Sequence, residues 1–515
     1  MNQLKSGAIL SYVSIFITTI IALLYTPIMI RLLGQSEYGL YSMIGSISAY
    51  LSIMDLGLGN AIVRYTARNR AIGNKEAESR LNGMFLLLYS VIGLLTILVG
   101  FVVYNTVDNV FGAGLTLMEL EKAKIMVIII IINFSLSFPL AIFGSVMQAY
   151  ERFVFVKVVA IIRSLLVPLI TLPFLFIGFG SVTMVIVSTL VNIICLLFNV
   201  FYCFRYLKIK FHFGKPDYRL MREILGYSFF IFLGIIVDQI NWNTGQIILG
   251  AVAGTTAVAV FAIAIQFIRL YLQFSTSLSG LFLPRVSMMV ANNASSFELT
   301  NMMIKYGRVQ YIILAYILSG FILYGRPFID IWAGTSYSGA YYMVIIIMIP
   351  ITIPLIQNIG LSVLQAKNLQ GFRSVVLIMI AILNVIISVL LAKSYGGVGV
   401  ALGTGISYII GNGIIMNFYY HYKIGINILL FWKNILLMSI PVLTSLTLGI
   451  GMDFVITKDS LLFLISKIVL FSIGYFLLMW FYGFNNYERS LFKSFTKALK
   501  RFLLKLNIRN RNNDC

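Results

Sequence analysis

Four charged residues interrupt stretches of sequence that are otherwise apolar: Asp55, Asp238, Arg269 and Lys467. A charge at the centre of a bilayer costs at least ~2.5–3.5 kcal/mol, so a partner, water or a ligand must compensate it. At the α-helical rise, Asp238 lies roughly 16 Å into a helix predicted over 227–250, and Arg269 roughly 18 Å into one predicted over 257–281. The two helices are consecutive and antiparallel, which brings both charges near the midplane. Each charge belongs to a polar stripe at helical spacing: Asp238, Asn241 and Gly245 beside Trp242, and Gln266, Arg269, Gln273 and Ser277. A stripe of that kind is expected to face a wet cavity. Two roles stay open and are compatible: Arg269 meets an anionic group of a substrate, or Asp238 and Arg269 pair and lock the helices together.

Asp55 opens the run Asp55-Leu56-Gly57-Leu58-Gly59-Asn60 near the end of a second helix. Gly57 and Gly59 loosen that helix, and a carboxylate there can accept the freed backbone N–H groups. Capping, with pairing to Arg64 or Arg68, is the expectation for Asp55. Lys467, a third of the way into the last helix, is expected to snorkel to the interface. Arg31, at the end of the first helix, either guards an entrance or snorkels. The sequence contains no P-loop, no Asp-x-Asp pair and no Gly-x-Ser-x-Gly elbow, and its two histidines, His212 and His421, form no metal-ligand pattern. The chain therefore reads as a non-enzyme with no cofactor site, whose active transport would draw on a gradient of H+ or Na+.

The elements that must hold these residues are transmembrane helices. Of the 515 residues, 60% are hydrophobic and 11% charged, against roughly 25% charged in soluble proteins. Apolar runs recur near 8–31, 39–60, 81–105, 124–148, 158–178, 182–204, 227–250, 257–281, 309–328, 340–361, 374–393, 397–420, 434–452 and 460–482. They predict an all-α polytopic membrane protein of about fourteen spans. With the N-terminus in the cytoplasm, about thirty Lys and Arg fall on the cytoplasmic side, Arg152, Lys157 and Arg163 among them. Arg31, Lys122, Lys124, Arg326, Lys393 and Lys458 fall opposite. The net charge of +21 thus follows from topology and does not call for nucleic acid. Both termini are expected in the cytoplasm.

The sequence also repeats. Pro139 followed by Met147-Gln148-Ala149 returns as Pro354 followed by Leu364-Gln365-Ala366. Tyr206-Leu207-Lys208-Ile209 returns as His421-Tyr422-Lys423-Ile424, and Leu33-Gly34 as Ala253-Gly254. The shared offset of about 215–220 residues spans six helices, an even number, so the copies run parallel. The expected organisation is a six-helix lobe over 1–215, a second over 216–425, two additional helices over 426–485, and a basic cytoplasmic tail over 486–515. In that tail Leu491, Phe495, Leu499, Phe502 and Leu506 share one face, and Lys493, Lys497, Lys500 and Arg501 the other. This is the pattern of an amphipathic helix lying on an anionic leaflet, or of an idle solvated tail.

Pro27, Arg31-Leu32-Leu33-Gly34 and Glu37-Tyr38-Gly39-Leu40-Tyr41 resemble the opening signature of bacterial polysaccharide transporters. Asp55-Leu56-Gly57-Leu58-Gly59 with Ala61 and Arg64 resembles their second-helix motif, and Gln148-Ala149 with Phe153 the turn after the fourth helix. The chain is similar to O-antigen or capsule repeat-unit flippases of the multidrug/oligosaccharidyl-lipid/polysaccharide exporter superfamily. That resemblance implies two six-helix lobes and a location in the bacterial plasma membrane. It also implies an undecaprenyl-diphosphate-linked oligosaccharide as cargo, moved from inner to outer leaflet by alternating access. It places Arg31, Arg64 and Arg269 where related lipid II flippases hold a diphosphate. With such a cargo, glycosyltransferases and a polysaccharide polymerase are expected partners. The alternatives are a cation-coupled multidrug exporter of the same superfamily and a membrane-embedded polysaccharide polymerase, though the large outer loop usual in polymerases is missing.

Overall fold

A computed structural model describes residues 3–214, 217–279, 283–455 and 460–494. Among them there is no strand. The helices are α1 (Gln3–Leu33), α2 (Gln35–Leu51), α3 (Leu58–Ile72), α4 (Lys75–Phe111), α5 (Leu117–Ala149), α6 (Phe153–Phe176), α7 (Ser181–Tyr202), α8 (Tyr218–Val252), α9 (Gly254–Ser279), α10 (Leu283–Ala291), α11 (Ser296–Trp332), α12 (Ala340–Ile356), α13 (Asn358–Ala366), α14 (Gln370–Tyr408), α15 (Met416–Tyr419), α16 (Ile428–Val455) and α17 (Leu461–Leu478).

Helices dominate because a bilayer offers the backbone no hydrogen-bonding partner, so each span must satisfy its own N–H and C=O groups. The lipid-facing surface is visible on α4. Leu87, Val91, Leu94, Leu98 and Phe101 recur at helical spacing, and each is more than half exposed. Such a stripe would be untenable in water. The opposite face of α4 sinks Phe85 and Tyr89, both fully buried, into a cluster with Leu58, Ala61, Ile142 and Val146 from α3 and α5. At Gly93 an added Cβ would lie 2.6 Å from the Ser135 carbonyl, so α4 and α5 approach too closely for any side chain there. Outside the apolar runs the helices are capped. Asn74 accepts from the Ala77 N–H at 2.9 Å, and Thr116 with Glu119 forms a reciprocal capping box.

By length and composition twelve described helices can cross a membrane, and the bent pair α12–α13 makes a thirteenth. One of the twelve, Gln370–Ile424, has 55 residues, or about 83 Å of helix against a hydrocarbon core of about 30 Å. Gly396 breaks it, with φ 53° and ψ −132°. Counting its two limbs separately gives fourteen spans.

The internal repeat is written in the backbone. Left-handed residues pair off as Gly34 with Gly254, Gly73 with Asn293, Glu151 with Asn368, Gly178 with Gly396, and Lys208 with Gly425, each 217–220 residues apart. π-helical turns precede the last pair, at Cys203–Leu207 and Tyr420–Ile424. Chain reversals at matching places, in sequences that have otherwise diverged, mark two parallel six-helix repeats followed by α16 and α17.

Contacts gather the chain into two compact units. The first comprises Met1–Phe267, Trp332–Val344 and Leu377–Ser407; the second comprises Ile268–Ile331, Ile345–Val376 and Tyr408–Cys515. In the second, Tyr475, Phe471, Met438 and Tyr324 form a buried cluster of α11, α16 and α17.

Two expectations need correction. Lys467 does not snorkel: it is 8% exposed and pairs with Asp453 at 2.8 Å. Arg163 does not sit at a helix end. The helix expected from residue 158 begins at Phe153, leaving Arg163 in mid-span. In the expected amphipathic tail, residues 486–494 are helical, whereas Phe495, Lys497, Leu499, Lys500, Arg501, Phe502 and Leu506 lie outside the described residues.

Candidate functional site

The second span is broken where the sequence places Asp55. α2 ends at Leu51, a single 3-10 turn covers Ser52–Asp55, and Leu56 and Gly57 turn left-handed at φ 53° and 73° before α3 begins. A left-handed leucine is strained, by about 1–2 kcal/mol. The strain is held by packing, since Gly57 abuts Ile231 of α8. The Asp55 carboxylate faces the N–H groups of Gly57 and Gly59 at the start of α3. It accepts a 2.7 Å hydrogen bond from the Tyr89 hydroxyl. Its partner is thus Tyr89 of α4 rather than Arg64 or Arg68. Arg64 is exposed and lies over the Tyr227 ring of α8 at 4.7 Å.

α8 carries polar groups on two faces. Asn241 is buried and receives the Asn384 Nδ2 at 3.5 Å. Asn384 Oδ1 in turn accepts from Ser388 at 2.9 Å and Thr404 at 3.2 Å. Gly245 packs on Val400 and Phe261. Asn241 and Gly245 therefore belong to a packed polar seam inside the second repeat. The other face meets α2: Gln246 accepts from Ser46 at 2.8 Å, and the Thr244 and Tyr50 hydroxyls share a hydrogen bond. Asn243, buried, donates to Gln239 at 2.5 Å. Asp238 on the same helix is exposed.

On α9, Gln266 is half-buried and donates to Thr26 of α1 at 3.2 Å. Arg269 is exposed although its neighbours Ile268 and Tyr271 are 0% and 1% exposed. Gln273 is half-buried, and the Ser277 side chain lies outside the described residues. Asp238 falls in the first compact unit and Arg269 in the second.

Within the first unit, the two repeats meet at the ends near Gly34 and Gly254. Glu119 of α5 accepts from Ser36 at 2.5 Å and from Thr255, at the start of α9, at 2.7 Å. Glu37 pairs with Lys122 and accepts from the Ser181 N–H at 3.0 Å. Gly39 lies against the Thr255 carbonyl so closely that a Cβ would overlap it. Gln35 donates to the Ser336 carbonyl at 3.3 Å, Tyr38 meets Tyr337 edge-on, and Trp332 donates to the Leu23 carbonyl at 2.8 Å. Arg31, one turn away, is exposed. This closure combines hydrogen bonds, one ion pair and glycine contact with the buried aromatic pair Tyr38 and Tyr337.

Sequence reasoning missed Glu119, Thr255, Gln246, Asn243 and Tyr89. A signal existed for Glu119, because Thr116-x-x-Glu119 is a capping-box spacing. None existed for the others, whose partners lie far along the chain.

Parallel repeats, broken spans and a polar seam at their meeting ends define a multi-pass α-helical membrane protein. Residues 4–290 match the polysaccharide biosynthesis protein family, and the chain belongs to that family. It is 24% identical over 488 residues to the uncharacterized membrane protein EpsK of Bacillus subtilis (strain 168), covering 93% of this chain and 94% of that one. Among solved structures, the lipid II flippase MurJ in an inward closed conformation is similar at a TM-score of 0.75 and 18% identity, over 92% of this chain and 99% of that one. An inward-facing multidrug resistance MATE family transporter of the MOP superfamily is similar at 0.62 and 15% identity, over 76% and 96%. At those identities the likeness is one of fold.

Proposed function

We propose that the chain flips undecaprenyl-diphosphate-linked oligosaccharide repeat units, of the O-antigen or capsule kind, from the cytoplasmic to the outer leaflet of the bacterial plasma membrane. The observation that carries this reading is Arg269, an exposed arginine midway along an otherwise largely buried helix. In a membrane that position is tolerable where water and an anion meet it, and a diphosphate is the group that cannot cross hydrocarbon unaided. Membership of a polysaccharide biosynthesis family supports the class of cargo, and the likeness to a lipid II flippase supports the lipid carrier.

In this reading 1–215 and 216–425 are the two lobes, with Arg31, Arg64 and Arg269 receiving the diphosphate. Asp238, Gln266 and Gln273 set the polarity around it, while Asn241 stays in the packed seam with Asn384. The break at Asp55, Gly57 and Gly59 lets the second span flex. Both termini face the cytoplasm, so the closure at Glu37, Glu119 and Thr255 is the outer gate. The cycle runs on an ion gradient, H+ or Na+. Glycosyltransferases supply the cargo and a polymerase consumes it.

The test is surface polysaccharide in cells carrying Arg269→Ala or Arg269→Lys at matched membrane levels. Loss with alanine and partial rescue with lysine is expected. Normal surface glycan with alanine overturns the role of Arg269. The fold shared with a multidrug exporter favours a second reading: altered drug resistance in Arg269→Ala with normal glycan would support it.

A further inference from the structure

Arg163 is the eleventh of the 24 residues of α6, about 15 Å from one end and about 20 Å from the other. Neither distance can be bridged by an arginine side chain reaching for the interface, so its guanidinium stays at mid-membrane depth. It lines a cavity of about 570 Å³ between α6 and α7, within the range of small-molecule sites. None of the residues lining that cavity is acidic. Among the described residues Arg163 has no ion pair.

The polar groups around it are fixed. The carboxamide of Asn192, itself 7% exposed, is held by donating at 2.8 Å to both Asn133 and Ser137. Ser164 donates to the Ile161 carbonyl at 2.8 Å, leaving its oxygen free to accept. Asn199 Oδ1 is buried and has no hydrogen-bond partner among the described residues. A buried acceptor without a donor is rare and costly. Val159, Val167 and Pro168 line the remaining wall.

From one unopposed cation, carboxamide and hydroxyl acceptors beside it, and an apolar flank, we infer that this cavity is a second binding site for the headgroup of a polyprenyl diphosphate sugar. Arg163 holds the diphosphate through paired N–H donors. Ser164 accepts from a sugar hydroxyl, Asn199 turns its carboxamide into the cavity to accept another, and the valine and proline wall takes the first isoprene unit. The site rests on the flippase reading and adds to it a station on the first repeat, distinct from Arg269.

The experiment is isothermal titration of the purified full chain in detergent micelles with farnesyl diphosphate, a short probe carrying the diphosphate and an isoprenoid. Two equivalents are expected in the wild type, one in Arg163→Gln and one in Arg269→Ala. Arg163→Lys should retain the second equivalent at roughly tenfold weaker affinity. Replacing an unpaired intramembrane charge by glutamine relieves a cost, so the variant is expected to fold; circular dichroism checks it, and Asn199→Ala provides an independent arm using a sugar-bearing diphosphate. Unchanged stoichiometry in Arg163→Gln overturns the new site and leaves the flippase reading standing. No binding to the wild type sinks both. Inorganic pyrophosphate binding as tightly as farnesyl diphosphate would show a site for free anions and overturn the lipid assignment.

Discussion

Gly39→Ala tests whether the Gly34 end is a gate that opens and closes. In an ordinary helix the exchange is favourable by about 1 kcal/mol, because alanine loses less backbone entropy. Here the added Cβ overlaps the Thr255 carbonyl, a backbone atom that no rotamer change can move. Tyr38 and Leu40 on either side are buried, so α2 cannot roll away cheaply. Overpacking of this kind costs about 1–3 kcal/mol, which shifts a two-state equilibrium by roughly 5–150-fold. The cost falls on the closed form alone, because the overlap vanishes once the repeats separate. Cross-linking of Gln35→Cys to Ser336→Cys with a short bifunctional thiol reagent, at positions whose parent side chain and carbonyl lie 3.3 Å apart, reports the closed form in membranes. Of the three native cysteines, Cys195 and Cys203 are buried and should stay silent, and Cys515 is replaced by serine in every variant. Gly39→Ala is expected to cut the cross-linked fraction at least several-fold and to lower surface polysaccharide at unchanged protein levels. Full cross-linking together with normal polysaccharide would refute the gate.

Two further substitutions probe the scaffold. Tyr89→Phe removes the 2.7 Å donor to Asp55 and should cost about 1–3 kcal/mol, read as a lower unfolding temperature in detergent. An unaltered temperature would show that Asp55 is held by the backbone alone. Arg308 donates to both carboxylate oxygens of Glu488 at 2.6 and 2.9 Å and to the Gly483 carbonyl at 2.8 Å, with side chains 9% and 2% exposed. Arg308→Met strands a buried carboxylate and should cost about 3–5 kcal/mol, while the double change with Glu488→Leu should recover most of it; equal losses in both variants would contradict the assignment.

The long apolar runs and the repeat were legible because both are local. A bilayer demands about 20 apolar residues per span wherever the span lies, and glycines at Gly34 and Gly254 announce a reversal without reference to any partner. Boundaries were harder. α6 begins five residues before its apolar run, because Phe153 to Lys157 continue the helix into the interface, and that shift alone moved Arg163 from a helix end to mid-span. Lys467 shows the limit of hydropathy more sharply. Asp453 stands only 14 residues away, yet no property of either residue states that α16 and α17 turn those two side chains together.

The amino-acid sequence by itself determined that this is a helical membrane protein with two parallel repeats, because transfer into hydrocarbon and backbone satisfaction act residue by residue. It also marked Asp55, Asp238 and Arg269 as charges needing an explanation. Only the tertiary structure decided the explanations. It gave Asp55 to Tyr89, Asn241 to Asn384, Glu119 to Thr255 and Arg308 to Glu488, and it left Asn199 Oδ1 without a partner among the described residues in the cavity that Arg163 lines. A side chain's partner depends on how two helices cross and which faces they present, and that is settled by packing over the whole bundle.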